Sequence, residues 1–170
     1  MNREAKALAV LDGLDGTPSL LEAKRLFLRR SFLQGDAMQD ARPTNAAYFR
    51  SAAKLLRRMH RLGIVHNDLA KEPNWLVTPD GESAILDFQM ASFRPRRDFL
   101  FRILAREDIR HLLKHKRTYR PDLLSKRERD ILDNPALISR IWMQTGKRLY
   151  LFVTRRILGW KDRVDANERS

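Results

Sequence analysis

The chain has 170 residues, the length of one domain that can bury its own core and fold alone. At 43% hydrophobic and 32% charged residues it is not a disordered chain, and no run approaches the ~20 apolar residues a membrane-spanning helix needs. The absence of cysteine excludes disulfides, thiolate metal sites and thiol nucleophiles, while a net charge of +13 makes a field that draws phosphates, nucleic acid or anionic lipid. Residues 1–90 hold 13 Lys/Arg against 11 Asp/Glu, whereas residues 91–170 hold 21 against 10, so the basic character belongs to the second half. The first residues lack an apolar core of signal-peptide length, and a cytoplasmic location is expected.

In chain order, Arg3 to Leu11 is rich in strong helix formers with Ala7, Leu8 and Leu11 on one face, and Asp12-Gly13 ends it. Asp15-Gly16-Thr17-Pro18 is a turn, after which Leu20–Ala23 and Leu26–Leu33 are predicted to pair as a hairpin that Gln34-Gly35-Asp36 breaks. Pro43-Thr44-Asn45 starts a helix with Phe49, Ala52, Ala53, Leu56 and Met59 at helical spacing, and Gly63 suits its stop. Ile64-Val65-His66 leads into a polar loop that runs to Pro73. A hairpin follows, Trp75–Thr78 and Ala84–Phe88 about the turn Pro79-Asp80-Gly81-Glu82. From Asp98 a long basic helix carries Leu100, Ile103, Leu104, Ile109, Leu112 and Leu113 and ends near Pro121. Ser125-x-x-Glu128 has the form of a capping box; further helices are predicted from Pro135 through Met143 and from Leu149 to Leu158.

The chemistry is concentrated in His66-Asn67-Asp68-Leu69-Ala70-Lys71-Glu72-Pro73-Asn74 and in Leu86-Asp87-Phe88-Gln89. Two carboxylates and a carboxamide lie on loops at the ends of short strands. Phosphoryl transfer needs a carboxylate to orient the attacking hydroxyl and accept its proton, and oxygen ligands to hold Mg²⁺ against nucleotide phosphates. Asp68 suits the first task; Asn74 and Asp87 suit the second.

HNDLAKEPNWLV resembles the His-Arg-Asp-Leu-x-x-x-Asn catalytic loop of the protein-kinase-like superfamily, and LDFQ resembles its Asp-Phe-Gly metal motif. The His-Asn-Asp form and the lack of a plain Asp-Phe-Gly are similar to the bacterial atypical branch, RIO-type and lipopolysaccharide-kinase-like proteins. The resemblance implies an α+β fold with a reduced N-lobe and hinge over residues 1–34, one helix plus a hairpin, and a mainly helical C-lobe over 35–170. It implies transfer of the γ-phosphoryl of ATP to a hydroxyl. Asp68 would be the catalytic base, Asn74 and Asp87 would bind Mg²⁺ and nucleotide, and Lys71 would neutralise the transferred phosphate. His66 would buttress the loop, Glu4 would stand for the glutamate that pairs with the nucleotide-binding lysine, Arg30 to Gln34 for the hinge, and Asp108 would anchor the loop from below.

Three departures shape these expectations. Asn74 lies six positions after Asp68 where the pattern has five, which calls for a bulge. Gln89 replaces a glycine. No glycine-rich loop or Val-Ala-Ile-Lys-like strand precedes Glu4, so the chain is expected to be either part of a longer kinase or a degenerate form that serves as a pseudokinase or adaptor. Lys71 reads equally as a solvated loop lysine, and Glu4 reads more simply as an exposed helix glutamate. The basic second half reads first as solvated helix faces. Its alternative is an anionic partner, with Leu149, Phe152, Val153, Ile157 and Trp160 flanked by Lys147, Arg148, Arg155, Arg156 and Lys161 as an interfacial helix at the inner membrane. Nucleic acid is the rival partner.

Overall fold

Arg3–Val10 forms α1, whose alanines and Leu8 turn inward: Ala5, Ala7 and Leu8 are buried. In this computed structural model, which describes residues 3–133, the chain is a mixed α/β structure. The helices expected over 135–143 and 149–158, with the cationic flank around the second, lie outside the described residues. β1 (Leu20–Ala23) and β2 (Leu28–Arg30) pair antiparallel, Leu20 opposite Arg30 and Ala23 opposite Leu28. The second strand is shorter than its apolar run, because Lys24–Phe27 are spent on the turn, closed by Lys24 N–H donating to the Phe27 carbonyl at 2.9 Å.

The stretch read as a break, Gln34 to Asp36, leads into a strand. β3 (Asp36–Ala37) pairs with β5 (Trp75–Val77), which in turn pairs with β6 (Ser83–Ile85), all antiparallel. Gly35 permits this approach, since it has φ +155° and a Cβ there would lie 2.7 Å from the Val77 carbonyl oxygen. One helical turn, α2 (Met38–Ala41), then buries Met38 completely.

Asn45 caps α3 (Ala46–Arg61) by accepting from Ala47 N–H at 2.8 Å. The periodic residues Phe49, Ala52, Leu56 and Met59 are buried as their spacing predicts. Gly63, at φ +80°, turns the chain off the helix; a Cβ there would stand 2.9 Å from the Arg94 carbonyl oxygen. That contact exists because β4 (Ile64–Val65) pairs with β7 (Ser92–Phe93), a two-residue ladder too short to show a period in the sequence.

α4 (Phe99–Tyr119) starts at Asp98, whose carboxylate accepts from Phe101 N–H at 2.8 Å. α5 (Lys126–Asp133) starts with the anticipated capping box: Ser125 N–H donates to Glu128 at 2.8 Å and Glu128 N–H to Ser125 Oγ at 3.3 Å. The principal core takes Leu8 from α1 and Leu11 just after it, Tyr48 and Leu56 from α3, Trp75 from β5, Phe88 from the 3₁₀ turn Phe88–Met90, and Leu112 from α4. It therefore holds the loops on either side of His66 and Asp87 against three helices. Among the described residues no helix is long and apolar enough to cross a membrane.

Candidate active site

The polar loop begins where β4 stops, and its first residues have no strand partner for their amide groups. Asp108, buried on α4 at 1% exposure, supplies one. Its Oδ2 accepts from His66 N–H at 2.8 Å and from His60 Nε2–H at 3.1 Å, and its Oδ1 from Asn67 N–H at 3.1 Å. The expected anchoring of the loop from below is thus a set of three hydrogen bonds to one carboxylate. Burial of that charge is tolerable because each of its oxygens is bonded.

His66 is also fully buried, with its ring edge-on to Phe88 at 4.8 Å. Its Nε2–H donates to the Leu86 carbonyl at 2.8 Å, while Nδ1 has no partner. Burial lowers its pKa against the smaller opposing pull of the Leu86 carbonyl and of Asp108, Asp68 and Asp87. The ring is a neutral strut joining the first loop to the residue before Asp87, and not a proton acceptor.

Asp68, Lys71 and Asn74 meet. Lys71 Nζ donates to Asp68 Oδ2 at 2.7 Å, and Asn74 Nδ2 reaches the same oxygen at 3.3 Å and the Asp68 carbonyl at 2.8 Å. Asn74 is buried, Asp68 half-buried and Lys71 exposed. Lys71 has its pKa raised by the hydrogen bond it donates to Asp68, by that carboxylate's charge and by Asp87 beyond it. The extra residue between Asp68 and Asn74 does not form the expected bulge. A 3₁₀ turn over Glu72–Asn74, with Pro73 inside it, takes up the length and returns Asn74 to Asp68.

Asp87 is joined to this group through the backbone: Leu86 N–H donates to the Asn74 carbonyl at 2.9 Å. It adopts the left-handed conformation, φ 60° and ψ 69°, and its carboxylate accepts from Gln89 N–H at 3.4 Å. The left-handed turn falls on Asp87 itself, so a glycine is not required at position 89. Two carboxylates and a carboxamide, all hard oxygen donors, suit Mg²⁺, which takes one or two protein ligands and completes its shell with phosphates and water.

The model of the APH phosphotransferase enzyme family matches residues 3–99, more than half of the chain. The chain belongs to that family. No match among curated proteins accompanies it. The stretch that matches the phosphotransferase family runs from α1 to the start of α4 and contains Asp68, Lys71, Asn74 and Asp87, while Asp108 lies beyond it.

Glu4 departs from its simpler reading. It is 7% exposed, and its ion partner is Arg30 on β2, with Nε 3.8 Å from Oε1. Several loop supports were not anticipated. Asn67, at φ 67°, donates from Nδ2 to the Met90 carbonyl at 2.9 Å and to Ser92 Oγ at 3.0 Å, tying the loop to the segment after Asp87. Trp75 Nε1–H and His115 Nε2–H both donate to the Leu69 carbonyl, at 3.1 and 2.9 Å. Tyr119 donates to Glu72 at 2.6 Å; desolvation, then the Glu72 bond, push its hydroxyl up to about 12. The spacing Asp108, Leu112, His115, Tyr119 places all four on one face of α4, and that was the signal available.

Proposed function

We propose that the chain is an ATP-dependent phosphotransferase that moves a γ-phosphoryl group to a hydroxyl acceptor. The observation that carries this reading is the meeting of Asp68, Lys71 and Asn74, with Asp87 joined to them through the backbone bond from Leu86 N–H to the Asn74 carbonyl. Asp68 Oδ2 is taken by Lys71 and Asn74, while Oδ1 has no hydrogen bond among the described residues, the acceptor that a hydroxyl proton needs. In the reaction the acceptor oxygen forms a bond to the γ-phosphorus, the bond from that phosphorus to the bridging oxygen breaks, ADP leaves, and the proton passes to Asp68.

Asn74 and Asp87 would hold Mg²⁺, which when bound neutralises charge on the nucleotide phosphates. Lys71 is exposed, so its pairing with Asp68 is weak and its ammonium can shift to the transferred group. Within the family the His-Asn-Asp sequence and Gln89 favour an atypical bacterial branch similar to RIO-type and lipopolysaccharide-kinase-like proteins. In this reading α1 with the β1–β2 hairpin is a reduced N-lobe, and the rest a helical C-lobe.

The test is calorimetric binding of Mg·ATP together with phosphate transfer to a panel of sugar, protein and small-molecule acceptors. Asp68→Asn should keep nucleotide affinity within about twofold and lose on the order of 10²–10⁴ in turnover. Asp87→Asn should lose Mg²⁺-dependent affinity. Equal binding and turnover in the wild type and both variants would overturn the assignment.

A further inference from the structure

The exposed large apolar side chains of the described residues fall into two groups, one on the β1–β2 hairpin and its exit and one made of Leu62, Met90, Phe93, Phe99 and Leu100. On the hairpin the cations Lys24 and Arg29 are both offset by Glu22. The second group has no such offset. Residues 94–102 carry Arg94, Arg96, Arg97 and Arg102 against the single acid Asp98. Asp98 is spent locally, since it accepts from Phe101 N–H as the cap of α4 and from Arg94 Nη1, each at 2.8 Å. Arg96, Arg97 and Arg102, with Arg61 beside Leu62, are exposed and have no acidic partner among the described residues.

The fold joins these residues from two segments, the end of α3 and the chain from β7 into α4. Phe93 pairs with Ile64 across the β4–β7 ladder, and Arg94 N–H donates to the Gly63 carbonyl at 2.7 Å, which sets Leu62 beside them. One turn follows, closed by Arg97 N–H on the Arg94 carbonyl at 3.2 Å, and leads through Asp98 into α4. Phe101 is buried and packs with Val65, so Phe99 and Leu100 are left on the outer side of the helix, Phe99 with 71% of its surface exposed.

A cluster of large apolar side chains in water marks a surface that a partner covers. Here the cluster is rimmed by unpaired arginines, which fits a surface that is anionic at its face and apolar beneath it. Arginine suits such a boundary, because its stem lies along apolar material while the guanidinium stays at the level of phosphates. The ladder and the turn already hold the backbone, so contact costs little further ordering.

We propose that this patch docks on the surface of an anionic lipid bilayer, with Phe93, Phe99 and Leu100 entering the headgroup boundary and Arg96, Arg97 and Arg102 meeting lipid phosphates. The proposal does not rest on the nucleotide reading. It does orient the candidate site: Asn67, the residue before Asp68, donates to the Met90 carbonyl and to Ser92 Oγ, so the loop that carries Asp68 is tied to the lipid-facing segment.

The test is sedimentation of the full chain with vesicles of phosphatidylcholine alone and with vesicles of phosphatidylcholine and phosphatidylglycerol in equal parts, each variant being checked for an unchanged thermal midpoint. The wild type should partition onto the mixed vesicles and far less onto phosphatidylcholine. Arg96→Gln with Arg102→Gln should weaken that partition by about fivefold for each charge removed. Phe99→Ser should weaken it by about tenfold. The two sets change separate exposed positions, and either serves if the other fails to fold. No binding of the wild type to the mixed vesicles would overturn the proposal. Wild-type partition in both sets would also overturn it, including the case in which Arg155→Gln with Arg156→Gln alone lowers it, because the lipid contact would then lie elsewhere in the chain. A loss with the arginines and none with Phe99→Ser would overturn it as well, since charge alone would account for the binding. Binding of a single-stranded RNA oligonucleotide that depends on Arg96 and Arg102, without vesicle binding, would assign the cations to nucleic acid instead.

Discussion

At the residue scale Asp108 carries the loop. A single carboxylate accepts from two backbone amides and one imidazole, and removing it leaves His66 N–H and His60 Nε2–H without acceptors in the interior and frees Asn67 N–H nearer the surface. Asp108→Ala should lower the unfolding free energy by about 2–4 kcal/mol, read from urea denaturation, because each unpaired buried donor costs about 1–3 kcal/mol. A loss below about 0.5 kcal/mol would show that water replaces the carboxylate. Asp108 was legible only through the family resemblance, which assigns that position a task; by charge alone its neighbour Glu107 is indistinguishable from it. Asn67 was not, since its left-handed backbone and its bonds to Met90 and Ser92 depend on where β7 lies.

At the scale of elements, short segments owe their ends to local side chains. α5 has only eight residues, too few to persist without packing and caps. Lys116 of α4 donates to both Glu128 oxygens, at 2.8 and 2.9 Å, so the capping box is also the tie between the two helices. Burial pushes the Glu128 carboxyl up, but Lys116 and the Ser125 groups hold it below its ordinary value. Its stabilisation is present above the unfolded value near 4.3 and is lost as pH falls through the lower folded value. Ser125→Ala should cost about 1 kcal/mol, and Glu128→Ala more, because it removes cap and tie together. Equal effects in thermal denaturation would mean that the Lys116 pair adds nothing. The capping box was visible as a sequence pattern; the tie was not, because Lys116 and Glu128 are brought together only when α4 and α5 pack. The 3₁₀ turn at Glu72–Asn74 has the same history: residue spacing revealed the extra position, and the path that absorbs it follows from the bonds at both its ends, Asn74 to Asp68 and Glu72 to Tyr119.

For the molecule as a whole, pH reports on buried imidazoles. Burial lowers the pKa of His66, and for His111 burial first, then Lys114 and His115, outweigh Glu107 and Asp108. Both groups bind a proton more readily when unfolded, so stability should fall as pH drops below the unfolded value of about 6.5 and level off once pH is below the folded values. The urea midpoint should therefore decline between pH 7.5 and 5.5, before ordinary carboxylates titrate; a flat profile would show that neither ring is buried neutral. Composition, helical period and turn residues made the mixed α/β character, α1, α3, α4 and the two hairpins legible, because those signals arise from neighbours within a few positions along the chain. Packing alone established the ladders β3–β5 and β4–β7, the burial of Glu4 and its pairing with Arg30, and the joining of Asp87 to Asn74 through Leu86. The contacts among these join residues between 12 and 41 positions apart. A contact of that kind leaves no local period, since it forms only after the core has brought distant segments into register.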